Sequence, residues 1–239
     1  MRRTRTPWLS DHFCWSGAGG AHLHDLLPLP YTNEAVTRIA ERARQVQDYL
    51  EVPFALENTS SYLTYTSSTM TEWEFVSAVV EEADVGLMFD VNNVYVSAYN
   101  HGFDPYEFVR KVPHERIVQI HLAGHTNLGD LIIDTHSGPV IDPVRDLYRE
   151  TIELAGPIST LIEWDDEIPA FDRLIEESQS IRALRDSAVE TRTAERRVSP
   201  WLNSAPGPRG AGGPPSPAHT SGRAWVQGGP REFPSEGRA

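Results

Sequence analysis

Five short apolar segments in this chain each end in a histidine or an acidic residue, and stretches with helical periodicity separate them. The clearest is Val85-Gly86-Leu87-Met88-Phe89, which Asp90 follows directly. Strands that alternate with amphipathic helices indicate a parallel sheet covered by helices. Right-handed crossovers align the carboxyl ends of such strands on one rim, where ligands bind. The predicted strands are Trp8–His12, Pro53–Glu57, Val85–Asp90, Ile117–His121 and Ser159–Glu163.

Capping signals and apolar spacing predict the helices between these strands. Thr71-Glu72-Trp73-Glu74 is a capping box and predicts a helix that continues to Glu82. Asp104-Pro105 and Asp142-Pro143 each combine an acidic N-cap with proline at the first helical position. Gly156 is suited to a left-handed C-cap. The remaining predicted helices cover about 33–50 and 169–184. Residues 16–20 are predicted as a glycine-rich loop, and a longer loop that contains Gly129, Asp134 and His136 is predicted after His121.

Composition divides the chain into two parts. We predict a partial barrel domain in residues 1–190 and a disordered tail rich in proline and glycine in residues 191–239. The tail carries a net positive charge, so the predicted domain is more acidic than the formal net charge of −13 for the whole chain suggests. Such a domain repels nucleic acid and anionic membrane surfaces, so neither is an expected partner.

Cysteine content and hydropathy indicate the compartment. Cys14 is the only cysteine, so no intrachain disulfide can form, which is typical of a reducing compartment. No apolar run approaches the ~18 residues that a membrane span requires. The basic N-terminus lacks the apolar segment of a secretory signal. We therefore expect a cytoplasmic protein.

The residues at the predicted rim form a set of metal ligands. Imidazole nitrogens together with carboxylate oxygens suit iron, manganese or zinc better than calcium or magnesium. The set is too large for one tetrahedral zinc ion, which takes three or four ligands. More than one ion, bridged by carboxylates, accounts for it best. The candidates are His12, Glu57, Asp90, His121, Asp134, His136 and Glu163.

These residues lie in motifs that resemble a known family. The chain resembles the DUF692 (UPF0276) family, the multinuclear non-haem iron-dependent oxidases that include the methanobactin-biosynthesis oxidase. The resemblance spans about Trp8 to Glu177. It rests on Ser10-Asp11-His12-Phe13-Cys14-Trp15-Ser16, Leu56-Glu57-Asn58-Thr59-Ser60-Ser61-Tyr62, Phe89-Asp90-Val91-Asn92-Asn93-Val94-Tyr95, Asn100-His101-Gly102, Gln119-Ile120-His121-Leu122-Ala123-Gly124-His125, Ile133-Asp134-Thr135-His136 and Leu161-Ile162-Glu163-Trp164-Asp165.

The resemblance implies an α/β fold, a TIM (β/α)8-barrel of the xylose-isomerase-like type, with two or three iron ions at its rim. It implies O2-dependent modification of cysteine in a ribosomally synthesised peptide, which a small partner protein presents. The seven candidates above match family ligands, and Asn93 is an eighth. Asn58 and Asn92 are candidates for orienting these ligands. His22, His24, His114 and His125 are expected to have no role in the site.

The resemblance also implies three further βα units, with another metal-binding histidine, before the strand that ends at His12. The chain is therefore expected to be N-terminally truncated, an incomplete barrel of about five of eight units. An open barrel predicts missing packing at the inner-facing side chains, for which Leu9, Leu56, Leu87 and Ile162 are the candidates. Two other interpretations stay open: a metal-dependent isomerase or hydrolase on the same barrel, and a remnant fragment without enzymatic activity.

Overall fold

Five strands form one parallel sheet whose spatial order follows the chain order. The structure is a computed structural model that describes residues 6–192. Two antiparallel hairpins lie outside the sheet. The sheet strands are β1 (Leu9–His12), β4 (Phe54–Glu57), β5 (Gly86–Asp90), β6 (Ile117–Ala123) and β9 (Thr160–Glu163), and the hairpin strands are β2 (Trp15–Ala18), β3 (Ala21–Leu27), β7 (Thr126–Asn127) and β8 (Ile132–Ile133).

Helices connect consecutive sheet strands, as the alternating pattern predicts. They are α1 (Asn33–Leu50), α2 (Glu72–Ala83), α3 (Val91–His101), α4 (Pro105–Lys111), α5 (Asp142–Ala155) and α6 (Phe171–Thr191), with one 3₁₀ turn at His114–Arg116. No helix within residues 6–192 combines the length and apolarity that crossing a lipid bilayer demands. Helix α6 ends one residue beyond the predicted domain boundary, and the predicted disordered tail lies almost entirely outside the described residues.

One face of the sheet packs on the helices and forms the main core. Side chains such as Leu87, Phe89 and Ile120 are fully buried there against helix residues such as Val79 and Phe108. Because successive strand residues point to opposite faces, the alternate residues of each strand project to the other face. That second face carries the polar residues at the strand ends.

The prediction of uncovered inner side chains assigned three of them, Leu56, Leu87 and Ile162, to the wrong face. Leu56 and Leu87 pack against the helices and are 5% and 0% exposed. Leu161 of β9, which projects to the opposite face of the sheet, is 44% exposed. The parity of a strand decides which residues face the helices, and a shift of one residue reverses the whole set. Ile162 is partly buried against the main core, and Leu9 is 37% exposed.

Capping chemistry predicted some helix starts correctly and others not. The Thr71 capping box is present, and Asp104 caps α4 with Pro105 in its first turn. Asp142 is not an N-cap: Ile141 holds the extended conformation before α5, so Asp142 is already helical. There its charge still faces the positive end of the helix dipole. Gly156 ends α5 with φ 104° and ψ −169°, which is not the left-handed helical conformation.

Two hairpins and one helix lie where the sequence predicted loops or no element at all. The predicted glycine-rich loop is the β2–β3 hairpin, whose turn residues Gly19 and Gly20 have positive φ angles. The β7–β8 hairpin lies in the second predicted loop. Helix α3 begins immediately after β5, because the Asp90 side chain accepts a hydrogen bond from the Asn93 amide and so caps the helix. Both hairpins are short or mostly exposed, so neither gives a strong apolar alternation.

Glu72 is a buried acid in the first turn of α2. Burial raises the pKa of Glu72 to about 8, and a hydrogen bond with Tyr31 offsets only part of this effect. The folded state thus keeps a proton on Glu72 at pH values where the unfolded chain has lost it. The contribution of Glu72 to the unfolding free energy is therefore fully present below its unfolded pKa near 4.5, and it falls as the pH rises towards about 8.

Replacing Glu72 with glutamine is expected to remove this pH dependence, because the amide stays neutral at every pH. Between pH 5.5 and 7.5 the wild-type protein should lose roughly 2 kcal/mol more unfolding free energy than Glu72→Gln, at about 1.4 kcal/mol per pH unit. Urea unfolding of both proteins at the two pH values measures the difference. Glu81→Gln, an exposed position on the same helix, is the control and should parallel the wild type. Equal slopes for Glu72→Gln and wild type would contradict the buried-proton interpretation.

Candidate metal centre

The carboxyl ends of the sheet strands bring four metal-ligand types together. Each of Glu57, Asp90, His121 and Glu163 offers one donor atom, and the four atoms lie within 4.8 Å of one another. Each of these residues ends or nearly ends its strand, on the face opposite the helix-packed core. His12 ends the neighbouring strand β1 and extends the group on that side. All five residues that close the predicted strands therefore lie on one rim.

An irregularity in β6 aligns His121 with this group. Leu87 of β5 pairs with Ile117, but the next residue, Met88, pairs with Gln119, so Val118 is an extra residue in β6. A bulge of this kind re-aims the side chains beyond it. As a result His121 lies beside Asp90 in the register, with its side chain on the polar face.

Two glutamates each contact two imidazoles. Glu57 Oε1 lies 2.9 Å from His121 Nδ1, and its Oε2 lies 3.6 Å from His12 Nε2. Glu163 Oε1 lies 3.4 Å from His121 Nδ1, and its Oε2 lies 3.2 Å from His136 Nδ1. Glu57 and His121 are both 6% exposed. The two carboxylates thus link three imidazoles into one continuous polar cluster.

The segment of residues 124–138, here called the ligand loop, brings Asp134 and His136 to the rim. His136 Nε2 lies 3.1 Å from Asp134 Oδ1, and its Nδ1 lies 3.1 Å from Asp165 Oδ2. A side chain at Gly124 would collide with the carbonyl oxygens of Ser137 and Gly138, so glycine allows the two ends of the loop to meet. The loop contains the β7–β8 hairpin and closes against the site.

The charge balance of the cluster shifts the pKa values of its members. Burial raises the pKa of Asp90 well above its usual range, and the charge of Asp134 raises it further. Burial likewise raises the pKa of Glu163, although His121 and His136 partly oppose this. Burial alone would lower the pKa of His136, but Asp134, Asp90 and Glu163 together outweigh it and raise that pKa to about 10. Protons thus neutralise a site with surplus negative charge, and metal cations can take their place.

Two buried oxygen atoms in the site have no hydrogen-bond partner within the described residues. They are Asp90 Oδ2 and Asn93 Oδ1. Asp90 is 0% exposed and its other oxygen caps α3. Asn58 fixes the Asp90 backbone, since it accepts from the Asp90 amide and donates to the Asp90 carbonyl. A buried acceptor without a donor is costly unless a cation binds it, so both oxygens fit a metal site.

The structure places the residues predicted as candidate ligands near one another. All eight candidate ligands, namely His12, Glu57, Asp90, Asn93, His121, Asp134, His136 and Glu163, lie in this one cluster through the contacts above. Asp165 was not predicted as part of the site, although it contacts His136. His22 and His24 are exposed on β3, away from these contacts, and His114 contacts the Val109 carbonyl oxygen. His125, expected to have no role, contacts Asn92 and hence the cluster.

Comparisons with known proteins identify sequences that are similar to this chain. The family described as "RiPP precursor modification enzyme MbnB/TglH/ChrH" matches residues 1–186. A UPF0276 protein of Anaeromyxobacter sp. (strain Fw109-5) is 49% identical over 187 residues, which cover 78% of this chain and 66% of that protein. A UPF0276 protein of Caulobacter vibrioides (strain NA1000 / CB15N) is 47% identical over 181 residues, 76% of this chain and 65% of that protein. The chain therefore spans about two-thirds of the length of these relatives.

A solved structure shows the same fold. It is a xylose isomerase-like TIM barrel protein from Mycobacterium smegmatis in complex with magnesium, with a TM-score of 0.51 and 15% sequence identity. The similarity covers 76% of this chain and 62% of that protein. The predicted α/β barrel fold of the xylose-isomerase-like type is thereby confirmed.

Proposed function

This chain belongs to the RiPP precursor modification enzymes MbnB/TglH/ChrH, the family that its motifs resemble, and from this premise we propose that it is an iron-dependent oxidase. The substrate is cysteine in a ribosomally synthesised precursor peptide, and O2 is the co-substrate. A small partner protein presents the peptide. The site takes two or three iron ions, and the ligands we assign are His12, Glu57, Asp90, Asn93, His121, Asp134, His136 and Glu163.

The observation that carries the proposal is the double contact of each bridging glutamate. Glu57 contacts His12 and His121 through different oxygens, and Glu163 does the same with His121 and His136. Glu57 and Glu163 would each hold metal together with the imidazoles that they contact. Each carboxylate also supplies negative charge between cations that would otherwise repel each other. This arrangement supports a site for more than one ion and disfavours a single tetrahedral zinc site.

Bound ferrous iron supplies the one-electron chemistry and the reaction with O2 that protein side chains lack. The residues of the chain fix the ligand positions and set the local charge. Asn58 holds the backbone of Asp90, and the buried layer of Phe89 and Ile120 lies on the other face of the sheet. The His12 side chain is 40% exposed and that of Asp165 is 74% exposed. A peptide can therefore approach the site beside these two residues.

The proposal is tested by the metal content of the full 239-residue chain purified without oxygen. We expect iron as the main metal, and His121→Ala should lower the iron content several-fold because His121 lies between both bridging glutamates. His24→Ala removes an exposed imidazole from β3 and should leave the iron content unchanged. Zinc alone at one ion per chain, equal in both variants, would contradict the iron proposal and favour a metal-dependent isomerase or hydrolase.

A further inference from the structure

A row of hydrogen bonds connects the ligand loop to α3 behind the proposed metal site. Asn92 Nδ2 donates to Asp134 Oδ1 over 2.8 Å, and Asn92 Oδ1 lies 2.8 Å from His125 Nδ1. Asp134 Oδ1 in turn lies 3.1 Å from His136 Nε2. Asn92 is 0% exposed, so its amide has little opportunity to exchange these partners for water. The row therefore runs from His125 through Asn92 to two of the proposed ligands.

The chemistry of the partners determines the orientation of each group in the row. A carboxylate oxygen only accepts, so the Asn92 amide must turn its NH2 group towards Asp134. Its carbonyl oxygen then faces His125, and because this oxygen also only accepts, His125 Nδ1 must carry the hydrogen. Burial lowers the pKa of His125, so the ring is neutral with its hydrogen on Nδ1. The hydrogen bond from His125 thus reinforces the amide orientation of Asn92 that the Asp134 carboxylate requires.

A reversed Asn92 amide would turn its oxygen towards the Asp134 carboxylate and repel it. It would also turn an NH2 group towards a ring nitrogen that carries its own hydrogen. Both penalties arise next to a ligand position, in a region where water cannot screen the charges well. The hydrogen bond from His125 therefore adds to the cost of reversing the Asn92 amide beside Asp134.

Packing and backbone contacts hold this row in place. The Tyr95 ring stacks on His125 with a centroid distance of 5.3 Å and an interplanar angle of 26°. One turn and a half further along α3, Asn100 exchanges two hydrogen bonds with the Ile132 backbone. The Tyr62 hydroxyl accepts from the Asp134 amide over 2.9 Å. The ligand loop is thus fixed to α3 at His125, Ile132 and Asp134, and Tyr62 holds the backbone of Asp134.

We propose that Asn92 and His125 are positioning residues that orient Asp134 for metal binding. His125 acts through its hydrogen bond to the Asn92 amide, which stabilises the amide orientation that faces Asp134. The inference rests on the proposed function, because it requires that Asp134 and His136 bind metal. It assigns a role to a histidine that contacts none of the eight candidate ligands directly in the described structure. Groups that orient metal ligands in this way typically change metal affinity by about 10–100-fold when they are removed.

Two substitutions of His125 separate its hydrogen bond from its ring. His125→Phe keeps an aromatic ring to stack on Tyr95 and removes the donor. His125→Asn removes the ring and keeps an N–H at the position of Nδ1, since the amide nitrogen of asparagine is equally far along the side chain. Fe²⁺ affinity of the full chain is measured without oxygen by competition with a chelator, with the stoichiometry taken from the same titration.

We expect His125→Phe to bind the most weakly held ion about 10-fold or more less tightly than the wild type, and His125→Asn to stay within a few-fold of it. Asn92→Asp, which keeps the shape and turns an oxygen towards Asp134, should match His125→Phe. The double variant should lose little more than either single variant, because both act through one row. Thermal unfolding of the metal-free proteins identifies any variant that fails to fold, and Asn92→Asp then replaces His125→Phe in the comparison.

The outcomes distinguish the two proposals. Wild-type protein that binds no Fe²⁺ would overturn the proposed function and this inference with it. Wild-type protein that binds Fe²⁺ with the same affinity as His125→Phe and Asn92→Asp would overturn the inference alone. Weak binding by His125→Asn together with tight binding by His125→Phe would also overturn it, because stacking and not hydrogen bonding would then determine the affinity.

Discussion

Glu57→Ala is expected to lose Fe²⁺ binding by on the order of a hundredfold or more, the largest effect of any single substitution in the site. Glu57 contacts His12 through one oxygen and His121 through the other, so its loss would remove a charged oxygen ligand that neighbours both imidazoles. The effect should exceed the 10–100-fold typical of groups that only orient ligands. Anaerobic chelator competition and elemental analysis of the full chain measure it.

Two further variants sharpen the interpretation of the Glu57 result. Glu57→Gln keeps one oxygen donor and loses the charge, so its iron content should lie between those of wild type and Glu57→Ala. Glu41→Ala removes an exposed acid from α1 and should bind iron like the wild type. If Glu57→Ala retained the wild-type stoichiometry and affinity, Glu57 would not be a ligand and the bridging arrangement would be incorrect.

Asp90→Asn is expected to stabilise the metal-free protein and to weaken metal binding. Burial and the nearby Asp134 raise the pKa of Asp90, so the folded state resists its ionisation. The unfolded chain ionises near pH 3.8, so stability from this group falls as the pH rises from there through the raised pKa. Asparagine keeps an oxygen to cap α3 and avoids the buried charge, and its NH2 group replaces the Oδ2 that has no partner.

The expected gain for Asp90→Asn at pH 8 is about 1–3 kcal/mol, the usual cost of a buried polar group without a partner. At roughly 2–4 °C per kcal/mol this raises the melting temperature by several degrees. Differential scanning calorimetry in EDTA measures the gain, with the exposed Asp48→Asn on α1 as the control. Added Fe²⁺ should reverse the order, because only the wild type keeps the carboxylate. Lower stability of Asp90→Asn in EDTA at pH 8 would contradict the interpretation.

The substitutions of Glu57 and Asp90 together test whether the acidic cluster binds metal at a cost to the stability of the fold. Asp90 and Glu163 both resist ionisation in the folded protein, because burial raises their pKa values and neighbouring carboxylates raise them further. A bound cation offsets the negative charge of these carboxylates and contributes its binding free energy to folding. The residues that bind metal are therefore expected to lower the unfolding free energy of the metal-free protein.

The sequence alone determined the order of the five sheet strands, five of the six α-helices in the described residues, and the residues at the ends of the sheet strands. Capping chemistry acts within about four residues, so the box at Thr71 and the Asp104-Pro105 start could be recognised directly. Apolar periodicity is likewise local, and it gave α1 its observed bounds. The chain order then placed the ligand types on one rim, because parallel strands joined by right-handed crossovers end on the same side.

Only the tertiary structure decided which face each strand side chain joins and how the ligand loop docks. The bulge at Val118 and the burial of Leu56 and Leu87 depend on pairing with other strands, which neighbouring residues do not encode. The role of His125 depends on contacts with α3, 33 residues earlier in the chain. Such contacts form between segments that are distant in sequence, so local propensity carries no signal for them, and their geometry follows from how the helices and the loop pack on the sheet.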